Sequence, residues 1–407
     1  MSRYPTMKSR LENAKRLYAL KLQQPLPKFK RYIYEDVAHS TAKLTAIYGS
    51  RGVGKTTLLM QIIKDSSLED SKKLYISCDY SYMQGVSLFE FAYEFSKYGG
   101  ELLCIDEVHE AKDFELELKQ IYDFLDIKVY FTGSSAIALK SPDFARRYSM
   151  YHLAYFSFRE YLNLVHRFRL ESYALEAILS DHENIALYIL QEIKKQKILK
   201  EYRDFLQVGI YPFYFEDKLK YIDRINDTID KILYIDIGKI YAVQPDKIEN
   251  IKKLLTTVCV SKPFEFTIDS LSREVGITKS TLYKYLNYLH KAELISLVTN
   301  EAKRFANIKK PDKLYMANTN LLEAVCFNQD NGTTKETFFV SQVRVKHKLH
   351  YANSGDFLVD ETYLFEVGGK NKSFKQIKDM PDSYIAADDI EVGFGNKIPL
   401  WLFGFLY

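Results

Sequence analysis

The run Gly49-Ser50-Arg51-Gly52-Val53-Gly54-Lys55-Thr56 constrains this 407-residue chain more than any other segment. It satisfies the pattern G-x-x-x-x-G-K-[ST] in full. Glycines let a backbone fold tightly enough for its N–H groups to converge on phosphate oxygens. A helix beginning near Lys55 adds the positive end of its dipole. In such a loop the lysine reaches the β- and γ-phosphates and the following hydroxyl ligates Mg²⁺, roles that fall here to Lys55 and Thr56. The nucleotide-contacting stretch runs from Gly49 through Thr57. At average composition a chance match in a chain this long is roughly a one-in-a-hundred event.

The flanks suit the motif. An apolar strand, Leu44–Tyr48, precedes it, and Leu58, Leu59, Ile62 and Ile63 follow at helical spacing. Further apolar runs at Leu74–Cys78, Glu101–Asp106, Val129–Thr132 and Tyr151–Tyr155 alternate with helical patterns such as Thr56–Lys64 and Phe114–Phe124. That alternation predicts an α/β architecture, a parallel sheet with helices on both faces.

Two of these strands carry further chemistry. Glu101–Asp106 ends in Asp106-Glu107, acids at the C-terminal end of a parallel strand, where a ligand crevice opens. Asp106 is placed to hold Mg²⁺ and Glu107 to polarise an attacking water. Val129–Thr132 runs into Gly133-Ser134-Ser135, where Ser134 or Ser135 either senses the γ-phosphate or caps the next helix. Asp106 is followed by Glu-Val-His rather than the D-x-x-G of a GTPase, and no N-K-x-D follows, so ATP is the favoured nucleotide.

Composition narrows the classes. Lys and Arg number 57 against 53 acids, a net charge of +4, which argues against a strongly basic nucleic-acid coat. With 32 Tyr and 26 Phe against one Trp, the aromatics are expected in cores and interfaces. Cys78, Cys104, Cys259 and Cys326 show no C-x-x-C spacing and suit a reducing cytoplasm. No apolar run reaches about 18 residues, so no membrane span is expected. The first 31 residues carry nine Lys/Arg and one acid, and read as a solvated leading helix (Leu11, Leu17, Leu20) and linker.

At about 150 residues per domain, two or three domains are expected. The boundaries read as 1–30 (basic helix and linker), 31–160 (phosphate-loop domain), 161–260 (helical), 261–325 and 326–407. Ser157 and Glu160 form a capping-box pattern opening the helical region, and Gly209 and Pro212 break it. From Phe266 to Leu297 the spacing is that of a helix-turn-helix. Leu271 and Val275 give one apolar face, Gly276 the turn, and Thr278 the start of a second helix that buries Leu282, Tyr285, Leu286 and Leu289. Lys279, Tyr283, Lys284 and Asn287 are left outward, and a hairpin with Lys303, Arg304, Lys309, Lys310 and Lys313 follows. Such an arrangement fits double-stranded DNA or a protein partner.

The carboxyl-terminal segment is expected to return to strands at Phe338–Val345, Phe357–Val359, Tyr363–Val367 and Pro399–Tyr407. Asp356 and Glu366 are placed to share a Mg²⁺, with Lys370 or Lys372 nearby to position water.

Taken together, the chain resembles the AAA-like ATPases of bacteria and archaea that carry a C-terminal nuclease-like domain. The resemblance rests on residues 49–57, Ile-Asp-Glu-Val-His (105–109), Phe-Thr-Gly-Ser-Ser (131–135), Ala-Arg-Arg-Tyr (145–148), residues 153–162, Gly-Ile-Tyr-Pro (209–212) and Phe-Glu-Val-Gly-Gly-Lys-Asn-Lys (365–372). It implies a P-loop NTPase sheet, then a helical and winged-helix domain, then a small α+β domain similar to PD-(D/E)xK nucleases. It departs from the nuclease pattern at Gly368, where that pattern has lysine. The resemblance also implies that Arg146 or Arg147 acts as an arginine finger on a neighbouring subunit's ATP in a homo-oligomer. The expectation is a Mg²⁺-dependent ATPase whose ATP and ADP states move its other domains. Its rivals are an ATP-gated metal nuclease and a nucleotide-dependent switch with negligible turnover.

Overall fold

Five short strands in the first part of the chain pair side by side, all parallel. They are β1 (Leu44–Gly49), β2 (Lys73–Ser77), β3 (Leu102–Asp106), β4 (Lys128–Ser134) and β5 (Tyr148–His152), in the order β2-β3-β4-β1-β5. The computed structural model describes residues 6–134, 146–194, 196–260, 267–300, 311–326, 330–378 and 380–407. The chain divides into two compact units, Met1–Ala154 and Tyr155–Tyr407.

In the first unit every residue of β2 and β3 is buried, as a parallel sheet covered on both faces requires. The helices are α1 (Met7–Leu22), α2 (Tyr34–Ala38), α3 (Lys55–Asp65), α4 (Leu88–Lys97) and α5 (Phe114–Phe124). α3 and α5 fall where the apolar spacing predicts them. β5 begins three residues before its expected start, because its register is set by β1, with Leu44 opposite Tyr148 and Tyr48 opposite His152. α1 is not a solvated helix. It packs along β2 and α4, burying Leu11, Ala14 and Tyr18, while Leu20 stays exposed. β2 is an edge strand, and a helix laid against it shields apolar surface that a solvated helix would leave open.

The second unit opens with α6 (Phe158–His166), capped by Ser157 and Glu160 as their spacing predicts. Ser157 Oγ accepts from Glu160 N at 3.1 Å, and Ser157 N donates to Glu160 Oε2 at 3.2 Å. α7 (Leu175–Ile193), α8 (Ile198–Gln207) and α9 (Tyr221–Lys231) follow, then a π-helical stretch, Ile232–Ile237, and α10 (Pro245–Val260). Phe158 stands 5.6 Å from Tyr202 and 5.5 Å from Phe205, and Tyr202 stands 4.9 Å from Phe338, ring centroid to centroid. The aromatic excess is thus spent in this core.

α11 (Ile268–Val275) ends in Gly276, and α12 (Lys279–Lys291) begins after its cap Thr278. The antiparallel pair β6 (Ile295–Val298) and β7 (Lys313–Met316) follows. All six apolar positions expected to bury do so, and Lys279, Lys284 and Asn287 are exposed. Lys303, Arg304, Lys309 and Lys310 lie outside the described residues. Lys313, counted with them as a basic hairpin residue, is fully buried.

After α13 (Thr319–Val325) and α14 (Asn331–Val343) come β8 (Leu349–Tyr351), β9 (Phe357–Val359), β10 (Tyr363–Gly368), β11 (Ser383–Ala387) and β12 (Lys397–Pro399). They form a mixed sheet in the order β12-β11-β10-β9-β8. Two expected strands are helical. Phe338–Val345 falls largely in α14, whose cap Asp330 accepts from Thr333 N. Its buried run Thr337–Val340 hides the helical period, and periodicity cannot separate a buried helix from a buried strand. Pro399–Tyr407 turns from β12 into a wholly buried 3₁₀ segment, Leu400–Phe405. Cys259 and Cys326, expected as separate thiols, are joined in a disulfide, while Cys78 and Cys104 are free and buried. No helix among the described residues is long and apolar enough to cross a membrane.

Gly209 offers a test of this packing. Its φ is +98°, and an added Cβ would meet the Tyr161 ring at 2.4 Å. Gly209→Ala is expected to cost about 2–3 kcal/mol, combining backbone strain with overpacking. Chemical denaturation that superimposes on wild type would contradict the description.

Candidate nucleotide site

The strand order creates the crevice. β4 lies between β1 and β3, so the loops leaving the C-terminal ends of β1 and β3 open on either side of β4. Open parallel sheets take their ligands at such a place. Residues 49–54 lead from the end of β1 into α3. Gly54, immediately before the helix, has φ +99°, a conformation glycine adopts without strain. A Cβ on Gly49 would meet Leu153 O at 2.2 Å. Ser50 is buried, and Arg51 and Thr57 are half-buried.

Arg31, a residue that sequence reading missed, braces this loop. Its buried guanidinium donates to Val53 O and Ala154 O, both at 2.7 Å. Lys55 is 5% exposed and its Nζ donates to Gly49 O and Ser50 O, both at 2.9 Å. The ammonium is therefore held beside the first turn of α3, whose backbone N–H groups lack intrahelical partners.

Asp106 ends β3 and is 3% exposed. Its Oδ2 accepts from Thr56 Oγ1 at 2.6 Å and from Tyr75 OH at 2.8 Å, and its Oδ1 accepts from Thr132 Oγ1. Thr56 and Asp106, expected to share a cation, are thus brought together from α3 and β3. Thr132 lies in the strand that ends in Gly133-Ser134, and it is the Thr132 hydroxyl that meets Asp106. Tyr75 gave no signal, since it looks like any aromatic in an apolar strand.

Glu107 has a left-handed backbone, φ +49°, and its N–H donates to Thr132 Oγ1 at 3.0 Å. Its Oε2 accepts no hydrogen bond among the described residues and lies 3.4 Å from His109 Nδ1. His109, the last residue of the run Ile-Asp-Glu-Val-His, thus stands beside the acid. Ser134 ends β4 in register with Gly49; its side chain and all of Ser135 lie outside the described residues. Arg146 is exposed just before β5, and Arg147 Nε lies 3.8 Å from Asp123 Oδ1.

Residues 41–162 match the family model of the AAA domain. That match spans β1 to β5 and the loop of residues 49–54, and ends in α6. Residues 199–332 match a domain of unknown function. An uncharacterized protein of Methanocaldococcus jannaschii is 29% identical over 298 residues, which cover 70% of this chain and 62% of that protein. The chain thus spans less than two thirds of that relative's length. Among solved structures, a Walker-type ATPase of Pyrococcus abyssi superposes with a TM-score of 0.42 at 14% identity, covering 74% of this chain and 98% of that one. AMPPCP-bound DnaA from Aquifex aeolicus gives 0.26 at 14% identity, covering 69% and 90%.

In the second unit, Asp356 and Glu366 come close to one another, with a third acid that sequence reading missed, Glu336 of α14. Each is paired. Lys313 Nζ lies 3.5 Å from both Asp356 Oδ1 and Glu336 Oε2. Lys372 Nζ lies 2.6 Å from Glu366 Oε1, so Lys372 rather than Lys370 reaches the acid. Asp356 Oδ2 accepts from Val367 N at 2.8 Å, and Tyr315 OH donates to Glu336 at 2.5 Å. Glu366 Oε2 is buried without a hydrogen-bond partner among the described residues. Among the described residues no three His, Cys, Asp or Glu side chains form a group able to hold a metal ion.

Burial raises the Glu336 carboxyl above its ordinary value, with Lys313 pulling it back. A carboxyl raised on folding contributes stability that is present below its unfolded pKa, about 4.3, and lost as pH rises through the folded value. Glu336→Gln cannot ionise and lacks that loss. Its melting temperature relative to wild type is therefore expected to climb as pH is raised from about 4 towards 7. A difference that stays flat across that range would contradict the assignment.

Proposed function

We propose that the chain is a Mg²⁺-dependent ATPase that binds ATP across Gly49–Thr57. The observation that carries this reading is the hydrogen bond joining Thr56 to Asp106 at the mouth of the loop, with Glu107 next in sequence. Two hard oxygen donors 2.6 Å apart in a sheltered crevice suit Mg²⁺. When bound, the ion would offset charge on the β- and γ-phosphates. Lys55 meets the same phosphates from the helix N-terminus. Glu107 accepts a proton from the attacking water, with His109 Nδ1 3.4 Å from its Oε2. Ser134 is proposed to face the γ-phosphate. Arg146 or Arg147 is proposed to act on ATP of a second copy, with Arg146 the better candidate because it is exposed.

Double-stranded DNA is the partner we propose for the second unit. Support comes from the exposed Lys284 and Asn287 on α12, the second helix of a helix-turn-helix spacing. Lys279 is exposed too but pairs with Asp269 at 2.5 Å. Asp356 and Glu366 enter this reading as members of a charge-balanced cluster with Lys313 and Lys372. Two ammonium groups there offset two of the three acids, so most of the cluster's charge is met by the protein's own cations.

The decisive experiment is Mg²⁺-dependent ATP hydrolysis by the purified protein with and without double-stranded DNA. Lys55→Ala is expected to lose nucleotide binding. Glu107→Gln is expected to bind ATP and lose about 100-fold or more in turnover. ATP binding with no turnover above these variants would overturn the enzyme reading in favour of a nucleotide switch. Asp356→Ala and Glu366→Ala are expected to leave DNA integrity unchanged; cleavage by wild type that both variants abolish would restore the metal-nuclease reading.

A further inference from the structure

We propose that Tyr75 and Lys21 are positioning residues for Asp106, and that they set the Mg²⁺ requirement of the nucleotide site; the inference rests on the ATPase reading. Tyr75 lies on β2, whose Ser77 is in register with Asp106. It is 3% exposed, and its OH lies 2.8 Å from Asp106 Oδ2. Lys21, in the last turn of α1, brings its Nζ to 2.8 Å from the same phenol oxygen and to 4.1 Å from the Tyr75 ring centroid.

Donor and acceptor inventory gives this chain a direction. An ammonium carries only donors, and a phenol carries one hydrogen. Lys21 therefore occupies a lone pair of the Tyr75 oxygen, and the phenol hydrogen is left for the carboxylate. The sequence of donation runs Lys21 to Tyr75 to Asp106. Asp106 thus receives three hydroxyls. Thr56 and Thr132 belong to the elements that build the crevice, whereas Tyr75 connects the carboxylate to α1, outside it. With hydrogens on both oxygens the carboxylate plane cannot swing, and its remaining lone pair, on Oδ1, keeps one orientation. Lys21 and Tyr75 also line a cavity of about 500 Å³ with Tyr18, Asp79, Tyr80 and Tyr82. The outer end of the chain therefore meets solvent on the side of α1.

Removing the hydrogen-bond partner of a metal-binding side chain typically costs 10–100-fold in metal affinity. Tyr75→Phe keeps the ring and deletes the hydroxyl, and with it both the donor to Asp106 and the acceptor for Lys21. The test is binding of a fluorescent ATP analogue to the full chain, titrated in EDTA and across a Mg²⁺ series. Tyr75→Phe is expected to keep its metal-free nucleotide affinity within about two-fold and to need about ten-fold more Mg²⁺ for half-maximal enhancement. Lys21→Met is expected to shift the same quantity in the same direction by less. Tyr80→Phe, whose phenol contacts Lys21 at 3.5 Å but not Asp106, is expected to leave it unchanged. An unshifted Mg²⁺ requirement in Tyr75→Phe overturns the inference. So does equal loss of affinity with and without Mg²⁺ in both Tyr75→Phe and Lys21→Met, which marks a merely structural role. Wild type that binds nucleotide but ignores Mg²⁺ overturns the inference and leaves nucleotide binding standing. Wild type that binds no nucleotide overturns both.

Discussion

A carboxylate as deeply buried as Asp106 is costly unless its oxygens are matched by donors. Here the donors are three hydroxyls from three different elements: Thr56 from α3, Tyr75 from β2 and Thr132 from β4. That one group ties the phosphate loop, the sheet edge and the neighbouring strand together. It also orders the backbone beyond β3, because Thr132 both donates to Asp106 and accepts from Glu107 N. The left-handed turn at Glu107 is held by this contact. The acid next to Asp106 consequently starts from a fixed backbone, and its buried Oε2 lies 3.4 Å from His109 Nδ1.

The second unit solves a similar problem differently. Glu336, Asp356 and Glu366 are matched by whole charges, Lys313 and Lys372, as well as by Tyr315 and a backbone N–H. Buried charges of one sign gathered at one place need either cations of the protein's own or a bound ion. The fully buried Lys313 supplies the first solution from β7. A sequence expected to present a cation site therefore folds into one whose charge is largely balanced internally. Asn320 plays a comparable part for neutral groups. Its side chain accepts from Ile210 N at 2.9 Å and donates to Phe205 O at 3.1 Å and Leu206 O at 3.0 Å, securing the chain where Gly209 and Pro212 interrupt the helices.

Much of the first unit was legible because its signals are local. Buried parallel strands read as short apolar runs, and the phosphate loop is a contiguous pattern whose residue types follow from backbone conformation and charge. The capping box at Ser157 and the left-handed turn at Gly276 are local for the same reason. Failures occurred where burial on all sides erased a period, as in Phe338–Val345 and Leu400–Phe405. They occurred again where an element's fate depended on a neighbour, as with α1 against β2 and the register of β5 against β1.

The residue sequence by itself determined the nucleotide loop, the acids at the end of β3 and the parallel α/β character of the first unit, since each depends on spacing within a few residues. Only the tertiary structure decided which hydroxyls meet Asp106, that Arg31 braces the loop, and that Lys313 lies buried among acids rather than on a basic hairpin. Those contacts join residues from 22 to 123 positions apart. No local pattern encodes such pairings, because they exist only once strand order and helix packing have brought the side chains together.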